Sequence, residues 1–248
     1  MKQLSLDKLN DLRKSRNSIG YGWNLSQCDF DTHKEIWEQL VEPDEKDCSE
    51  SFALVRADGS ETGVYGVRWM FHLFGLCHRA AHVGLTTPSG LILLQKRSSS
   101  KADSPSFWDM TVAGHIPVDN NGVSLSYHEG ALKEIEEEIG LSKHDIFDNL
   151  LDGELVICSA PYFFYEQDLS RNPPFRNAEA QQVFGGVLTE TGMAALSPDY
   201  DELDGIIIVR EEIAWSLLAA PDIAAGLRSS LPRFLDWLQQ RKGCENVN

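Results

Sequence analysis

The feature that most constrains this chain is the short acidic segment 133–141, which reads Lys-Glu-Ile-Glu-Glu-Glu-Ile-Gly-Leu. Residues three and four apart share one face of an α-helix, so the pattern predicts that Glu134, Glu137 and Glu138 point the same way. Like charges this close repel one another, and the arrangement is favoured if a cation lies among them. Carboxylate oxygens are the ligands that Mg²⁺ and Mn²⁺ prefer, so the segment predicts a metal site.

The same segment has sequence signals for both helix ends. Ser126 and Glu129 have the spacing of an N-terminal capping box, and Gly140 stands where a left-handed residue would end the helix. A second helix face is apolar and carries Leu132, Ile135 and Ile139. The pattern therefore predicts a short amphipathic helix with gathered acids. The alternative interpretation is a solvated acidic face with no ligand.

The segment resembles the end of the Nudix box, R-E-U-x-E-E-x-G-U, where U is aliphatic. Six residues match its defined positions, and Lys133 stands in place of the Arg; the six are Glu134, Ile135, Glu137, Glu138, Gly140 and Leu141. Segments 78–83, 93–98 and 108–115 also resemble family motifs and occur in the family's order. The resemblance extends over roughly residues 50–215 and implies an α/β (α+β) Nudix fold, with a mixed β-sheet sandwiched between helices.

The resemblance also implies an enzyme that uses Mg²⁺ or Mn²⁺ to hydrolyse a diphosphate linkage in a small organic diphosphate, of nucleoside, sugar, prenyl or thiamine type. On this interpretation Glu134, Glu137 and Glu138 bind the metal, and the family pattern adds the Gly114 carbonyl. Lys133 would orient a carboxylate or contact phosphate.

Further roles are assigned by position. Glu179 is the candidate general base, in segment 176–184, which we interpret as a late loop. Arg79, Arg97 and His115 are candidate substrate contacts. A surface carboxylate and a solvated basic face are the alternative interpretations of Glu179 and of the two arginines.

Two positions depart from the full box. Counting back from Lys133 places Leu125 where the family has an early Glu, and Asp119 where it has the loop glycine. The better glycine is Gly114, so segment 119–122 is interpreted as part of an insertion. A Lys cannot reproduce the forked contact of an Arg, and we expect the helix to be braced differently.

Two other function classes stay open. The chain also resembles the Nudix branch that includes isopentenyl-diphosphate isomerases, and His72, His78 and His115 fall near the metal-binding histidines of that branch. However, Ala113 stands where the isomerases have a cysteine, and the acidic triad is intact. The third class is a binding or regulatory module that has lost catalysis.

The chain organisation is predicted in three parts. Residues 1–48 form a helical extension, 49–220 the Nudix domain and 221–248 a helical tail packed on that domain. Helical patterning covers 32–41, followed by an acidic link at 42–47. Alternating segments predict two hairpins, one formed by 52–56 with 63–69 and the other by 82–86 with 91–95. Segments rich in β-branched residues predict three later strands, at 154–158, 182–188 and 205–209.

Composition excludes several partners. The formal net charge of −16 over 248 residues argues against nucleic acid or an anionic membrane as a partner. The five cysteines include no C-x-x-C pair, so free thiols in a reducing compartment are expected. No apolar run is long enough to cross a bilayer. We expect a cytoplasmic enzyme with a small-molecule diphosphate substrate, and the helical ends could form a homodimer surface.

Overall fold

The computed structural model describes residues 1–15, 50–101, 103–119, 121–142 and 146–245. These residues form eleven strands and six α-helices, so the predicted α+β class is confirmed. The predicted helix at 32–41 and the acidic link at 42–47 lie outside the described residues. None of the helices described has the length and apolar character needed to cross a membrane.

The chain divides into two compact units, and each is described by itself. Unit 1 comprises Met1–Ala80, His115–Tyr127 and Pro161–Gln181, and unit 2 comprises Ala81–Gly114, His128–Ala160 and Gln182–Asn248. Strands β4 (Cys77–Thr86) and β10 (Phe175–Val187) contribute residues to both units. The three-part division at residues 48 and 220 stays a prediction.

Unit 1 is built on a three-stranded sheet with the order β1-β3-β2. Its strands and helices are β1 (Lys2–Gln3), α1 (Leu6–Lys14), β2 (Ser51–Val55), β3 (Glu61–Val67), α2 (Arg68–Phe74) and β9 (Tyr162–Asp168). Strand β1 pairs parallel to β3, and β2 pairs antiparallel to it. The β2–β3 hairpin was predicted, and it turns at Gly59 with φ of +78°. Its apolar side chains form a core that includes Leu4, Leu9, Phe52, Leu54, Phe71 and Phe74.

The predicted second strand of this hairpin extended to Trp69, and this boundary is wrong. Strand β3 ends at Val67, and α2 begins at Arg68. All five residues from Met70 to Phe74 are buried, which a helix allows and a half-exposed strand does not. The helix ends at Gly75, whose φ of +62° places it in the left-handed region. It carries His72 into the interior of unit 1.

Unit 2 has the strand order β11-β5-β4-β10-β8. Its other strands are β5 (Ile92–Arg97), β6 (Trp108–Asp109), β7 (Val112–His115), β8 (Val156–Ile157) and β11 (Leu203–Val209). Its helices are α3 (Tyr127–Ile139, whose first residue belongs to unit 1), α4 (Glu190–Ala195), α5 (Glu211–Leu217) and α6 (Ala225–Glu245), with a short 3₁₀ helix at Ile146–Asn149. The predicted β4–β5 hairpin is present, with Leu85 opposite Leu93.

Helix α3 follows the sequence prediction closely. It begins directly after Ser126 and ends before Gly140, whose φ is +71°. Ile135 and Ile139 are fully buried, as the apolar face predicted. The helix ends where it does because the left-handed residue reverses the backbone, and a Cβ at Gly140 would lie 2.6 Å from the Ser197 carbonyl oxygen.

Helix α6 packs against β4 within unit 2 at a point of very close approach. A Cβ on Gly84 would lie 2.4 Å from the ring of Phe234, which is completely buried. The glycine therefore permits the contact between the strand and the helix.

Replacing Gly84 with Ala should destabilise the fold by about 1–3 kcal/mol, because the added methyl group overpacks the site. Urea unfolding at equilibrium measures the change. Gly243→Ala is the matched control, since a Cβ there meets nothing within 4 Å. Equal stability of Gly84→Ala and wild type would contradict this packing of α6.

Candidate active site

The acidic side chains of α3 lie in unit 2 and differ in their exposure to solvent. The side chain of Glu134 is 13% exposed and that of Glu137 is 54% exposed, whereas Glu138 is buried. Lys133 donates to Glu137, and its Nζ lies 3.6 Å from Oε1 of Glu134. Lys133 therefore bridges two of the predicted metal ligands, which is how it can orient a carboxylate.

Gly114 lies directly against Glu134. A Cβ built on Gly114 would fall 2.1 Å from Oε2 of Glu134, so a side chain at this position would displace the carboxylate. Gly114 therefore lies beside one of the predicted metal ligands, and a shared metal site stays a prediction. The glycine is required here for close approach of the backbone to the Glu134 side chain.

Glu138 is a buried carboxylate that faces another carboxylate. Its Oε2 accepts hydrogen bonds from Gln95 Nε2 at 3.1 Å and from the backbone N–H of Ala113 at 3.2 Å. Burial raises the pKa of Glu138 to about 8, and the negative charge of Glu134 raises it further than burial alone would. A dication would relieve both penalties, so this donor set fits a divalent metal.

Gln95 contacts the predicted metal ligand Glu138, and the sequence analysis did not single it out. It lies in β5 after the apolar residues Leu93 and Leu94, and only 1% of its surface is exposed. A polar residue in a buried strand needs a partner, and this is the signal that could have identified it. Its partner is Glu138.

Arg97 and Arg79 were predicted as substrate contacts, and the structure places both guanidinium groups in other interactions. In unit 2, Arg97 Nη1 pairs with Asp109 Oδ2 at 3.1 Å. In unit 1, Arg79 donates to the Gly59 carbonyl and pairs with Glu61, and its guanidinium carbon lies 5.2 Å from the ring centre of Tyr127. Each arginine contributes to local structure, and a contact with substrate stays a prediction.

A second group of donors lies in unit 1. His72 on α2, His78 on β4 and His115 on β7 have ring nitrogens that all fall within 4.8 Å of one another. The ring centres of His78 and His115 are 4.7 Å apart. His72 and His78 are both buried. The three side chains, which we call the histidine site, come from separate segments of the sequence.

The two buried histidines are neutral and available as ligands. Burial lowers the pKa of His78 to about 3 and lowers that of His72 well below its usual value, with positive neighbours adding to both shifts. Among the described residues, no hydrogen-bond partner is found for Nε2 of either ring. Neutral imidazole nitrogens that lack a partner are suited to bind a metal ion.

Glu179 belongs to the histidine site. Its Oε1 lies 3.0 Å from His115 Nε2, and it also accepts a hydrogen bond from Asn177 Nδ2 at 2.6 Å. Gln181 Nε2 donates to its Oε2 at 2.6 Å. Two amide donors and a ring nitrogen therefore fix the orientation of the carboxylate.

The prediction that Glu179 lies in a loop is wrong, because residues 176–184 are part of β10. The alternation in Asn-Ala-Glu-Ala-Gln places Asn177, Glu179 and Gln181 on one face of the strand. Small residues between polar ones resemble a loop in sequence. Ala178 and Ala180 are instead fully buried, packed on the opposite face of the strand with Val55 and Cys77.

Sequence comparison gives two curated relatives. Nudix hydrolase 3 of Arabidopsis thaliana is 31% identical over 137 residues, which is 54% of this chain and 16% of the relative. An uncharacterized Nudix hydrolase of Streptomyces coelicolor is 37% identical over 68 residues, 27% of this chain and 35% of the relative. Over the matched residues, this chain is similar to proteins named Nudix hydrolases. It spans about a sixth and about a third of the two relatives' lengths.

Other comparisons are more distant. No protein-family model matches the chain. The E. coli dihydroneopterin triphosphate pyrophosphohydrolase has 17% identity and a TM-score of 0.42, covering 63% of this chain and 93% of the E. coli protein. A C. elegans Ap4A hydrolase has 17% identity and a TM-score of 0.38, covering 60% of this chain and 92% of the C. elegans protein. The similarity to Nudix hydrolases rests on the two sequence relatives.

Replacing Glu138 with Gln should make the metal-free protein less sensitive to alkaline pH. The pKa of Glu138 is raised from 4.5 to about 8, so the folded protein keeps a proton that the unfolded chain loses between these values. The stability of wild type therefore falls as the pH rises through that interval. Between pH 5 and pH 9, with a chelator present, thermal unfolding should show wild type losing several degrees more than the variant. Equal losses would show that Glu138 is not desolvated.

Proposed function

We propose that this protein is a Mg²⁺- or Mn²⁺-dependent hydrolase that cleaves a diphosphate linkage in a small organic diphosphate. The observation that carries the proposal is the buried pairing of Glu138 with Glu134, beside Gly114 and Lys133 in unit 2. The two curated relatives, both named Nudix hydrolases, support the same reaction class.

The residues of α3 have distinct tasks in this proposal. Glu134, Glu137 and Glu138 would hold the metal, and Lys133 would keep Glu134 and Glu137 in position. Gln95 and the Ala113 backbone fix the Glu138 carboxylate. When bound, the metal neutralises phosphate oxygens and lowers the pKa of a water molecule.

A second candidate function is an isomerase that acts on isopentenyl diphosphate. The histidine site with Glu179 favours it, because three imidazoles and a carboxylate suit Mn²⁺ or Zn²⁺. Ala113 opposes it, since a methyl group cannot transfer the proton that a thiol could. We propose that Glu179 acts with the histidines, rather than as the general base of the hydrolase. Cytoplasmic location and homodimer formation stay predictions.

Glu137→Gln should reduce metal-dependent hydrolysis at least about 100-fold, because an amide replaces an anionic metal ligand. The assay measures phosphate and pyrophosphate released from nucleoside, sugar, prenyl and thiamine diphosphates, with Mg²⁺ or Mn²⁺ and with EDTA. Glu136→Gln is the matched control, because Glu136 is an exposed neighbour on the same helix. Loss of activity in both variants, or in neither, would contradict the assignment of hydrolysis to the acidic face of α3.

His72→Gln should lose one bound Mn²⁺ or Zn²⁺ per chain, because Gln lacks the imidazole nitrogen. Metal content after dialysis measures the loss, and circular dichroism checks the fold. His128→Gln is the control, since His128 packs against Phe147 and Phe184 in unit 2. Unchanged metal content in His72→Gln would exclude a metal at the histidine site.

Incubation with isopentenyl diphosphate in D₂O separates the two candidate functions. Deuterium incorporation at carbon without release of pyrophosphate or phosphate would identify the isomerase. Metal-dependent release from any diphosphate of the panel, without deuterium incorporation, would identify the hydrolase.

A further inference from the structure

Arg171, beside the histidine site, differs from three other arginines described in unit 1. Arg68 pairs with Glu50 at 2.6 Å, Arg79 with Glu61, and Arg176 donates to the Leu73 carbonyl at 2.9 Å. Within the described part of the chain, no ion pair or side-chain hydrogen bond joins the guanidinium of Arg171 to another residue. Its five N–H donors are therefore available to a ligand.

Arg171 is nevertheless held in position. It is half-buried in the turn between β9 and β10, and its guanidinium carbon lies 4.6 Å from the ring centre of Phe175. That ring is 4.9 Å from the ring of His72. The guanidinium thus stacks on an aromatic ring that itself packs against the histidine site.

The groups near Arg171 include the neutral ring of His72 and the carboxylate of Asp168. The positive charge of Arg171 contributes to the lowered pKa of His72. It also acts on Asp168, an exposed carboxylate whose pKa is lowered mainly by hydrogen bonds from Ser170. His72 is neutral, and Arg68 and Arg171 are both permanent cations near it. Arg68 is paired with Glu50, so it could bind an anion only by leaving that carboxylate.

We propose that Arg171 binds a phosphate-bearing anion beside the histidine site in unit 1, with Phe175 orienting its guanidinium. The planar fork of Arg matches phosphate oxygens in a bidentate geometry. That this anion is a diphosphate rests on the proposed function, whereas the site itself rests on the contacts of Arg171. Arg171 is therefore an anion-binding residue of unit 1.

Arginine-directed labelling with phenylglyoxal tests the site directly. In Mn²⁺-loaded protein, inorganic pyrophosphate should protect Arg171 from labelling about tenfold, as measured by peptide mass spectrometry. Arg210, which is exposed, should label equally with and without pyrophosphate. Labelling of Arg171 that pyrophosphate does not change would overturn the proposal.

Calorimetry on variants gives the second measurement. Arg171→Gln should weaken pyrophosphate binding about tenfold, with unchanged Mn²⁺ content and thermal unfolding. Arg171→Lys should recover part of the affinity, because it restores the charge without the fork, and Arg210→Gln should bind as wild type does. Wild-type affinity in Arg171→Gln, while the diphosphate panel is still hydrolysed, would refute the role of Arg171 alone. Weakened binding without turnover of any diphosphate would support Arg171 and refute the proposed function.

Discussion

The acidic site of unit 2 is organised around a carboxylate that is buried beside another carboxylate. Glu138 loses its hydration, and Glu134 adds a like charge nearby. The two neutral donors to Glu138 do not offset these effects, so its pKa is raised to about 8 and the metal-free carboxyl group keeps its proton at neutral pH. A divalent cation would change this balance and allow both carboxylates to ionise. Gly114 leaves room for Glu134, Lys133 bridges Glu134 and Glu137, and Gln95 donates to Glu138. All three residues therefore help to position these carboxylates.

The donors at the histidine site of unit 1 are mostly neutral imidazoles, in contrast to the carboxylates of unit 2. His72 and His78 are buried without becoming charged, and Glu179, which contacts His115, is oriented by Asn177 and Gln181. Oxygen donors suit Mg²⁺, while imidazole donors suit Mn²⁺ or Zn²⁺. The two donor sets therefore differ in which metal they prefer, and the metal bound to each can be identified separately.

The sequence predicted the elements whose signals are local. The 3.6-residue pattern and Gly140 located α3, and Gly59 located the turn of the first hairpin. It did not predict that Glu179 lies in a strand, because the small residues that alternate with polar ones in Asn-Ala-Glu-Ala-Gln resemble a loop in sequence. It identified the acids of α3 but could not grade their burial, which depends on Gln95 and Ala113 in other segments. The contacts of Lys133 also differ from those of the Arg in the Nudix box. Lys133 bridges Glu134 and Glu137 instead of pairing with an early Glu.

The protonation states of the histidines narrow the chemistry of unit 1. With a pKa of about 3, His78 cannot donate a proton at neutral pH, and the pKa of His72 is also far below its usual value. These rings can act as ligands or as hydrogen-bond acceptors, but not as general acids. Proton transfer at this site would therefore use a group other than His72 and His78, such as Glu179, which is already engaged by Asn177, Gln181 and His115. An isomerase that has Ala113 in place of the thiol would depend on that carboxylate for its proton chemistry. The hydrolase does not, because the acids of α3 would bind its metal in unit 2, and this difference is why the hydrolase is the simpler account of the chain.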